Sequence, residues 1–258
     1  MNSFLFYGLI LFLLFCPVSG WSQTGVSPAD PVSPLALLGN PSDTASYVQV
    51  NYSNPYGISS LMNISLKLNK PVPGGLLIAD VETIGIPGYY EYLFGFGYGL
   101  IVAPGLLLGL NLDAVLAPPF GSIRRQFHVG SSVFGMARFS ASMLSCFYID
   151  NWTSLWNSQS NRLEKPRFSI CINTKTRGDV TLISGLSYTK SRKPIIRFGV
   201  SILADARHTI IAGLQSGPPG FWTGYKFSNN RFDVLFTLEA GSFFGLEPAS
   251  SFRYSMNQ

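Results

Sequence analysis

The sequence predicts an all-β fold, a transmembrane antiparallel β-barrel of about 12 to 14 strands with a short N-terminal plug segment. Two observations predict it. Apolar residues alternate with small or polar residues in many short segments of the 258-residue chain, as they do in strands with two different faces. The opposite positions are mostly Gly, Ser and Asn, whereas the wet face of a soluble sandwich is rich in Lys, Glu and Thr. Such strands suit a cylinder with lipid outside and a narrow polar interior.

Composition narrows the class of protein further. Hydrophobic residues make up 47% of the chain and charged residues only 12%, about half the charged fraction of an ordinary soluble domain. This argues against disorder and against a typical cytosolic enzyme. The net charge is +5, but the basic residues lie in short clusters between apolar stretches, so we expect no nucleic acid partner.

The N-terminus resembles a secretory signal peptide. Residues 4–18 form an apolar run that ends in small residues, Ser19 and Gly20, which predicts a signal peptide over 1–22. An uncleaved anchor is the alternative, although the run is short for a bilayer span. No later stretch of eighteen uninterrupted apolar residues follows. We therefore expect an exported protein of the outer membrane of a Gram-negative bacterium, in contact with outer-membrane lipid or lipopolysaccharide.

The strand pattern is clearest in the middle of the chain. Residues 92–102 and 106–116 alternate, with Leu93, Ile101, Leu107 and Val115 as exceptions, and the short turn at 103–105 joins them. Further segments with strand character follow the same logic: 62–69, 77–82, 129–139, 141–150, 168–173, 180–189, 196–202, 209–215, 221–227, 232–239 and 251–256. These predict a barrel over residues 59–258. A soluble lipocalin-like barrel or sandwich is the rival fold, but it requires a purely apolar interior.

The segment between the signal peptide and the barrel is rich in proline. Residues 23–53 contain four prolines around the apolar stretch 35–38. We expect this segment to form either a plug inside the barrel or a disordered arm.

The C-terminal stretch GLQSGPPGFWTGYKFSNNRFDVLFTLEAGSFFGLEPASSFRY resembles the last strands of the FadL superfamily of outer-membrane barrels. The likeness is to the branch with the PorV and PorQ proteins of type IX secretion. SNPYGIS, with Asn54, Pro55, Tyr56 and Gly57, resembles the family's Asn-Pro-Ala-Gly segment, with Tyr56 where Ala is usual. The resemblance implies a barrel whose plug includes these four residues. The mature chain is far shorter than transporters of this type.

No pattern of catalytic or metal-binding residues stands out. Only His128 and His208 are present, and neither lies beside a Ser or Asp at an informative spacing. No metal-ligand spacing, phosphate loop or nucleophile elbow occurs. We expect no enzyme activity and no cofactor.

Some inward positions of the predicted strands carry charges or thiols. The charged candidates for the lumen are Lys67, Asp113, Arg197, Asp233, Glu239 and Arg253. They either line a pore or neutralise one another and seal a narrow barrel, and we expect sealing. Cys146 and Cys171 fall on the inner parity of adjacent strands. They form either a disulfide in the lumen or two separate buried thiols.

Two functions follow from these observations. The first is an accessory or structural subunit of an outer-membrane secretion or assembly complex, as the PorV and PorQ resemblance implies. Its partners are other outer-membrane or periplasmic proteins. The second is a FadL-like channel for hydrophobic small molecules. A lipid-modifying enzyme is a third hypothesis, which the scarcity of candidate catalytic residues disfavours.

Overall fold

The computed structural model describes residues 46–54, 60–117, 126–150, 166–176, 178–189, 193–216, 219–241 and 245–256. Fourteen strands occur in this part of the chain: β1 (Tyr47–Ser53), β2 (Met62–Val72), β3 (Gly75–Ile86), β4 (Tyr89–Ala103), β5 (Leu106–Ala117), β6 (Gln126–Ser140), β7 (Met143–Asp150), β8 (Arg167–Lys175), β9 (Val180–Thr189), β10 (Ile195–Leu203), β11 (His208–Gln215), β12 (Gly220–Ser228), β13 (Phe232–Gly241) and β14 (Gly245–Ser255). No helix among the described residues has the length and hydropathy of a membrane span.

The strands form one closed barrel in which each strand pairs with its neighbours in the chain. All pairs are antiparallel, and β1 closes the barrel by pairing with both β2 and β14. Val50 of β1 lies opposite Leu66 on one side and Phe252 on the other. Closure satisfies the backbone groups of every strand on both edges, which an apolar surrounding requires. The predicted all-β, antiparallel barrel fold is confirmed.

The two faces of the wall differ as the alternation predicts. On β4, Phe94 and Phe96 are exposed on the outside of the barrel, while Gly95 and Gly97 are buried on the inside. The outer face is apolar around the whole barrel, with side chains such as Phe198, Leu214 and Phe236 exposed. An apolar belt of this kind on a closed barrel is the surface that contacts lipid.

The two ends of the barrel have different connections. At one end the strands are joined by short turns, and two of these turns are the Pro-Gly pairs at 73–74 and 104–105. Gly74 and Gly105 have φ values of 79° and 78°, which suit glycine at the third position of a type II turn. At the other end longer segments follow β1, β5 and β7. We refer to these as the short-turn end and the long-loop end.

Strand β1 corrects the predicted domain boundary. Residues 23–58 were expected to form a plug or arm, but Tyr47–Ser53 is a strand of the wall. Its residues alternate Val48, Val50 and Tyr52 against Gln49 and Asn51, the pattern of a strand with one lipid face and one polar face. The remainder of the segment, 23–45, lies outside the described residues, as does the predicted signal peptide.

Aromatic rings gather on the outer face near the short-turn end. His208 and Phe227 have ring centroids 5.3 Å apart, Phe227 and Phe232 lie at 5.9 Å, and Phe232 and Phe252 stack at 6.1 Å. A row of amphipathic and aromatic rings at the rim of the apolar belt is typical of a membrane interface. His208 therefore belongs to the outer rim of the barrel.

The direction of the outer side chains is testable at the centre of β4. Phe96 is 59% exposed, so Phe96→Arg places a charge in the middle of the apolar belt. We expect it to destabilise the barrel by about 2 to 4 kcal/mol, measured by urea unfolding in lipid vesicles. Ala206→Arg, in the exposed turn between β10 and β11, is the control and should be silent. Equal tolerance of both changes contradicts a lipid-facing β4.

Candidate functional site

The inner face of the barrel is crowded, because bulky side chains lie over glycines of neighbouring strands. A Cβ atom at Gly97 would lie 2.7 Å from Asn111 Oδ1, and one at Gly99 would lie 2.9 Å from a methyl carbon of Leu107. The indole of Trp222 lies over Gly199 and Gly213 in the same way. Because glycine has no side chain, the inward groups of neighbouring strands can pack closely against the wall at these positions.

A layer of hydrogen-bonded polar side chains occupies part of the lumen. Asn51 is at its centre on β1: its amide donates to Ser65 Oγ at 2.8 Å and its carbonyl oxygen accepts from Ser251 Oγ at 2.6 Å. Gln49 Nε2 donates to the same Asn51 oxygen at 2.7 Å. Asn63 Nδ2 donates to Glu82 Oε1 at 2.7 Å. All six residues are buried, so strands β14, β1, β2 and β3 are joined on their inner face.

The same layer continues around the wall on β5, β6 and β7. Tyr148 donates its hydroxyl hydrogen to Ser132 Oγ at 2.9 Å, and Ser132 Oγ donates to Asp113 Oδ2 at 3.0 Å. Asn111 donates its amide to the other oxygen of Asp113. We call the residues Gln49, Asn51, Asn63, Ser65, Glu82, Asn111, Asp113, Ser132, Tyr148 and Ser251 the polar layer.

Ion pairs extend this pattern to the other strands. Arg197 of β10 lies 3.3 Å from Glu239 of β13, and its Nε donates to Gln215 Oε1 at 2.9 Å. Because β11 and β12 lie between β10 and β13 in the sheet, this pair connects parts of the wall that are not neighbours. Arg167 and Asp150 pair at 3.6 Å. All of these residues lie in the half of the barrel toward the long-loop end.

A cavity of about 560 Å³ occupies the other half of the lumen, toward the short-turn end. Apolar side chains from six strands form part of its wall: Leu76, Leu107, Met136, Cys146, Ile183 and Ile211. All six are buried. Polar side chains such as Asn69, Asn173 and Thr181 line the rest. Gln49, Asn111 and Tyr148 of the polar layer also line it, so the layer forms the inner boundary of the cavity.

The mouth of the cavity is basic. Three of its cations, Arg138, Lys175 and Lys226, lie near the short-turn ends of their strands, and Lys67 lies at the middle of β2. Asp80 lines the cavity as well. Lys226 and Arg253 both lie 3.5 Å from Asp233, and the Arg253 guanidinium lies 4.8 Å above the ring of Tyr47. The cavity therefore combines a partly apolar interior with a charged rim.

The predicted lumen residues take part in these contacts. Asp113 belongs to the polar layer, Arg197 pairs with Glu239, and Asp233 lies between two cations at the short-turn end. Asn54 follows β1; its backbone N–H donates to Pro248 O at 3.1 Å and its side-chain amide donates to Leu61 O at 3.1 Å. Pro55, Tyr56 and Gly57 lie outside the described residues, so the proposed plug role of this segment stays a prediction.

The cysteines and histidines are also located. Cys146 lies directly opposite Cys171 on adjacent strands, and no disulfide joins them in the structure. His208 forms a hydrogen bond with the Tyr225 hydroxyl on the outer rim. Backbone N–H groups of Arg207 and His208 donate to the carboxylate of exposed Asp205, which lowers the pKa of Asp205. For His128 the structure describes only the backbone, within β6.

Several inward residues were not identified from the sequence. Glu82 and Asp80 lie two residues apart on the inner face of β3, opposite Ser65 and Lys67 of β2. Their spacing of two in the sequence was a signal that could have identified them as inward residues. Leu107 was treated as an exception to the alternation of its strand. It lies on the inner face because it lines the cavity, so the exception was itself the signal of an apolar pocket.

Comparisons with known proteins bear on the fold. No family model matches the chain, and no curated protein matches it. Among solved structures, the CymD monoaromatic hydrocarbon channel is similar at a TM-score of 0.63 and 10% identity, with 93% of this chain and 98% of that chain covered.

Two further solved structures are similar to the barrel. The Ralstonia pickettii toluene transporter TbuX has a TM-score of 0.59 at 9% identity, with 94% and 98% of the two chains covered. The Acinetobacter baumannii outer membrane protein Omp33 has a TM-score of 0.51 at 6% identity, with 83% and 98% covered. These likenesses show an outer-membrane β-barrel fold. The resemblance to the PorV and PorQ branch stays a prediction.

The ion pair across the lumen provides a stability test. Arg197→Met leaves the carboxylate of Glu239 without this partner, and breaking a buried pair in this way costs about 3 kcal/mol. We expect urea unfolding in lipid vesicles to reveal that loss, and Arg197→Met with Glu239→Gln to recover part of it. Lys70→Met, on the outer face of β2, is the control, expected within about 0.5 kcal/mol of wild type. An unchanged stability of Arg197→Met argues against a structural role for the pair.

Proposed function

We propose that the protein is an outer-membrane barrel that binds small hydrophobic molecules in its lumen and passes them across the membrane. The observation that carries the proposal is the cavity of about 560 Å³, whose wall includes side chains from two clusters of buried apolar residues. Its volume is within the range of small-molecule sites, which combine apolar side chains with convergent polar groups. The barrel does not rely on enzyme chemistry in this proposal.

The similar structures support the same class of ligand. CymD is described as a monoaromatic hydrocarbon channel and TbuX as a toluene transporter. Both have this fold over nearly the whole chain. A single aromatic ring is small compared with the cavity, and the buried leucine, isoleucine and methionine side chains offer it an apolar surrounding. We therefore expect monoaromatic hydrocarbons or molecules of similar size to bind.

The location follows from the fold and from the first residues of the chain. A closed barrel with an apolar belt functions in a bilayer, and barrels of this kind occur in outer membranes of Gram-negative bacteria. The expected signal peptide over 1–22 supports export. Short turns of such barrels face the periplasm, so we assign the mouth of the cavity to the periplasmic side.

An accessory role in a secretion or assembly complex is the second candidate. The polar layer favours it, because hydrogen-bonded side chains occupy the long-loop half of the lumen where a channel needs a path. In this role the barrel binds a larger membrane protein or a periplasmic partner. Affinity purification from gently solubilised membranes tests it, and isolation as a lone monomer argues against it.

Ligand binding is tested by filling the cavity. Leu107→Trp puts an indole into the cavity, since Leu107 is 4% exposed and lines it. Leu108→Trp changes the next residue, which is 39% exposed on the outer face. With the barrel in lipid nanodiscs and fluorotoluene as ligand, ¹⁹F NMR separates bound ligand from ligand dissolved in lipid.

We expect wild type and Leu108→Trp to show the same saturable bound signal. Leu107→Trp should lower the affinity at least about tenfold, because the indole occupies the ligand's volume and overpacking opposes a second occupant. Equal binding by both variants, or no saturable signal in the wild type, would overturn the proposal.

A further inference from the structure

Three sulfur atoms belong to one row of inward side chains in the cavity wall. Met136 of β6 lies directly opposite Cys146 of β7, and Cys146 lies directly opposite Cys171 of β8. The three side chains are 8%, 6% and 3% exposed. All three line the cavity of about 560 Å³. Three adjacent strands thus present soft donor atoms at the same height of the lumen.

The spacing of the row suits one shared ion. Directly opposite residues of antiparallel strands have Cβ atoms about 4.5 to 5.5 Å apart, and bonds from sulfur to a metal ion are about 2.3 Å long. Cys146 packs beside Met136, whereas Cys171 packs against Ile183 and Ile211. Cys171 Sγ donates to Asn173 Oδ1 at 3.4 Å, a long contact that a shared ion would replace. Methionine has three rotatable side-chain bonds, so its sulfur adapts to the remaining position.

We propose that Met136, Cys146 and Cys171 form a binding site for Cu(I). Thiolate and thioether sulfur are the ligands that select this soft ion. Zinc is a poorer fit because structural zinc sites have four ligands. In the part of the chain that the structure describes, no group of three or more His, Cys, Asp or Glu side chains is placed to hold a metal ion.

Charge supports the same ion. Binding of Cu⁺ by two thiols releases two protons and leaves a Cu(I) bis-thiolate with a net charge of −1, to which the neutral thioether of Met136 is the third donor. Lys67 and Lys226 face the carboxylates of Asp80 and Asp233, whereas Arg138 and Lys175, which line the same cavity, favour an anionic complex electrostatically. No redox step is needed, because no disulfide joins the two cysteines in the structure and copper enters and remains as Cu(I).

The test is competition with a chromogenic chelator. The purified full-length barrel in detergent is reduced, desalted and titrated anaerobically into the Cu(I) complex of bicinchoninate, whose absorbance falls when the protein removes the ion. We expect wild type to remove about one equivalent of Cu(I) per chain. Cys146→Ser and Cys171→Ser should each weaken binding at least about tenfold. Met136→Leu should weaken it by a smaller factor, because one neutral donor is lost.

Matched variants separate the site from general effects. Met256→Leu changes an exposed methionine outside the cavity and should bind like wild type. Each variant is first checked for folding by its heat-modifiable migration on gels. Wild-type affinity in the double Cys146→Ser, Cys171→Ser variant would overturn the site, and so would absence of Cu(I) removal by the wild type.

The state of the thiols in the cell is a second readout. Protein from cells is alkylated at once with N-ethylmaleimide and weighed by mass spectrometry. Two alkylated cysteines in the mature chain support a metal site, whereas a complete Cys146–Cys171 disulfide would identify the pair as a cross-link and overturn the proposal. Fluorotoluene binding is measured on copper-free wild-type protein, so failure of this proposal leaves the proposed transport function testable on its own.

Discussion

Closure of the hydrogen-bonded ladder is the constraint on which the rest of this structure depends. In hydrocarbon an unpaired backbone N–H or C=O group costs several kcal/mol. Every strand of the wall must therefore pair with a neighbour along both of its edges. Strand β1 meets that requirement by pairing with both β2 and β14. Once the ladder is closed, the alternation of side chains fixes what faces lipid and what faces the lumen. A slip of one residue in any strand would turn its polar row toward the acyl chains.

The interior reflects a second constraint, the cost of unpaired polar groups. The side chains of the polar layer are shielded from bulk water and are stabilised by hydrogen bonds to one another. They therefore gather where neighbouring strands offer partners, as Asn51 does between Ser65 and Ser251. The apolar inward residues collect in the remaining half of the lumen. Leucine and isoleucine side chains attached to a rigid cylindrical wall do not reach its centre, and the cavity is the space they leave.

The sequence determines the strands and their faces far better than it determines the site. Period-two alternation predicted the wall from β2 to β14, and β1 was missed only because Val48, Val50 and Tyr52 follow a proline-rich segment. Leu107 departs from the alternation because part of the lumen is apolar, and the alternation alone does not reveal which inward positions are apolar. The contact between Arg197 and Glu239 depends on the curvature of the barrel, since two strands separate them. The alignment of Cys146 with Cys171 depends on a register that no local signal in β7 or β8 specifies.

The difference between the two halves of the lumen also indicates from which end of the barrel a ligand would enter the cavity. The polar layer separates the cavity from the long-loop half, whereas the cavity's mouth is at the short-turn end among Arg138, Lys175 and Lys226. A ligand that arrives at the mouth reaches apolar side chains without breaking a hydrogen bond of the layer. A ligand from the other side must displace contacts such as Tyr148 to Ser132, and each buried group left without a partner costs about 1 to 3 kcal/mol. For the proposed transport function, the arrangement of the described residues therefore favours loading from the short-turn end, and passage across the membrane would require the polar layer to rearrange.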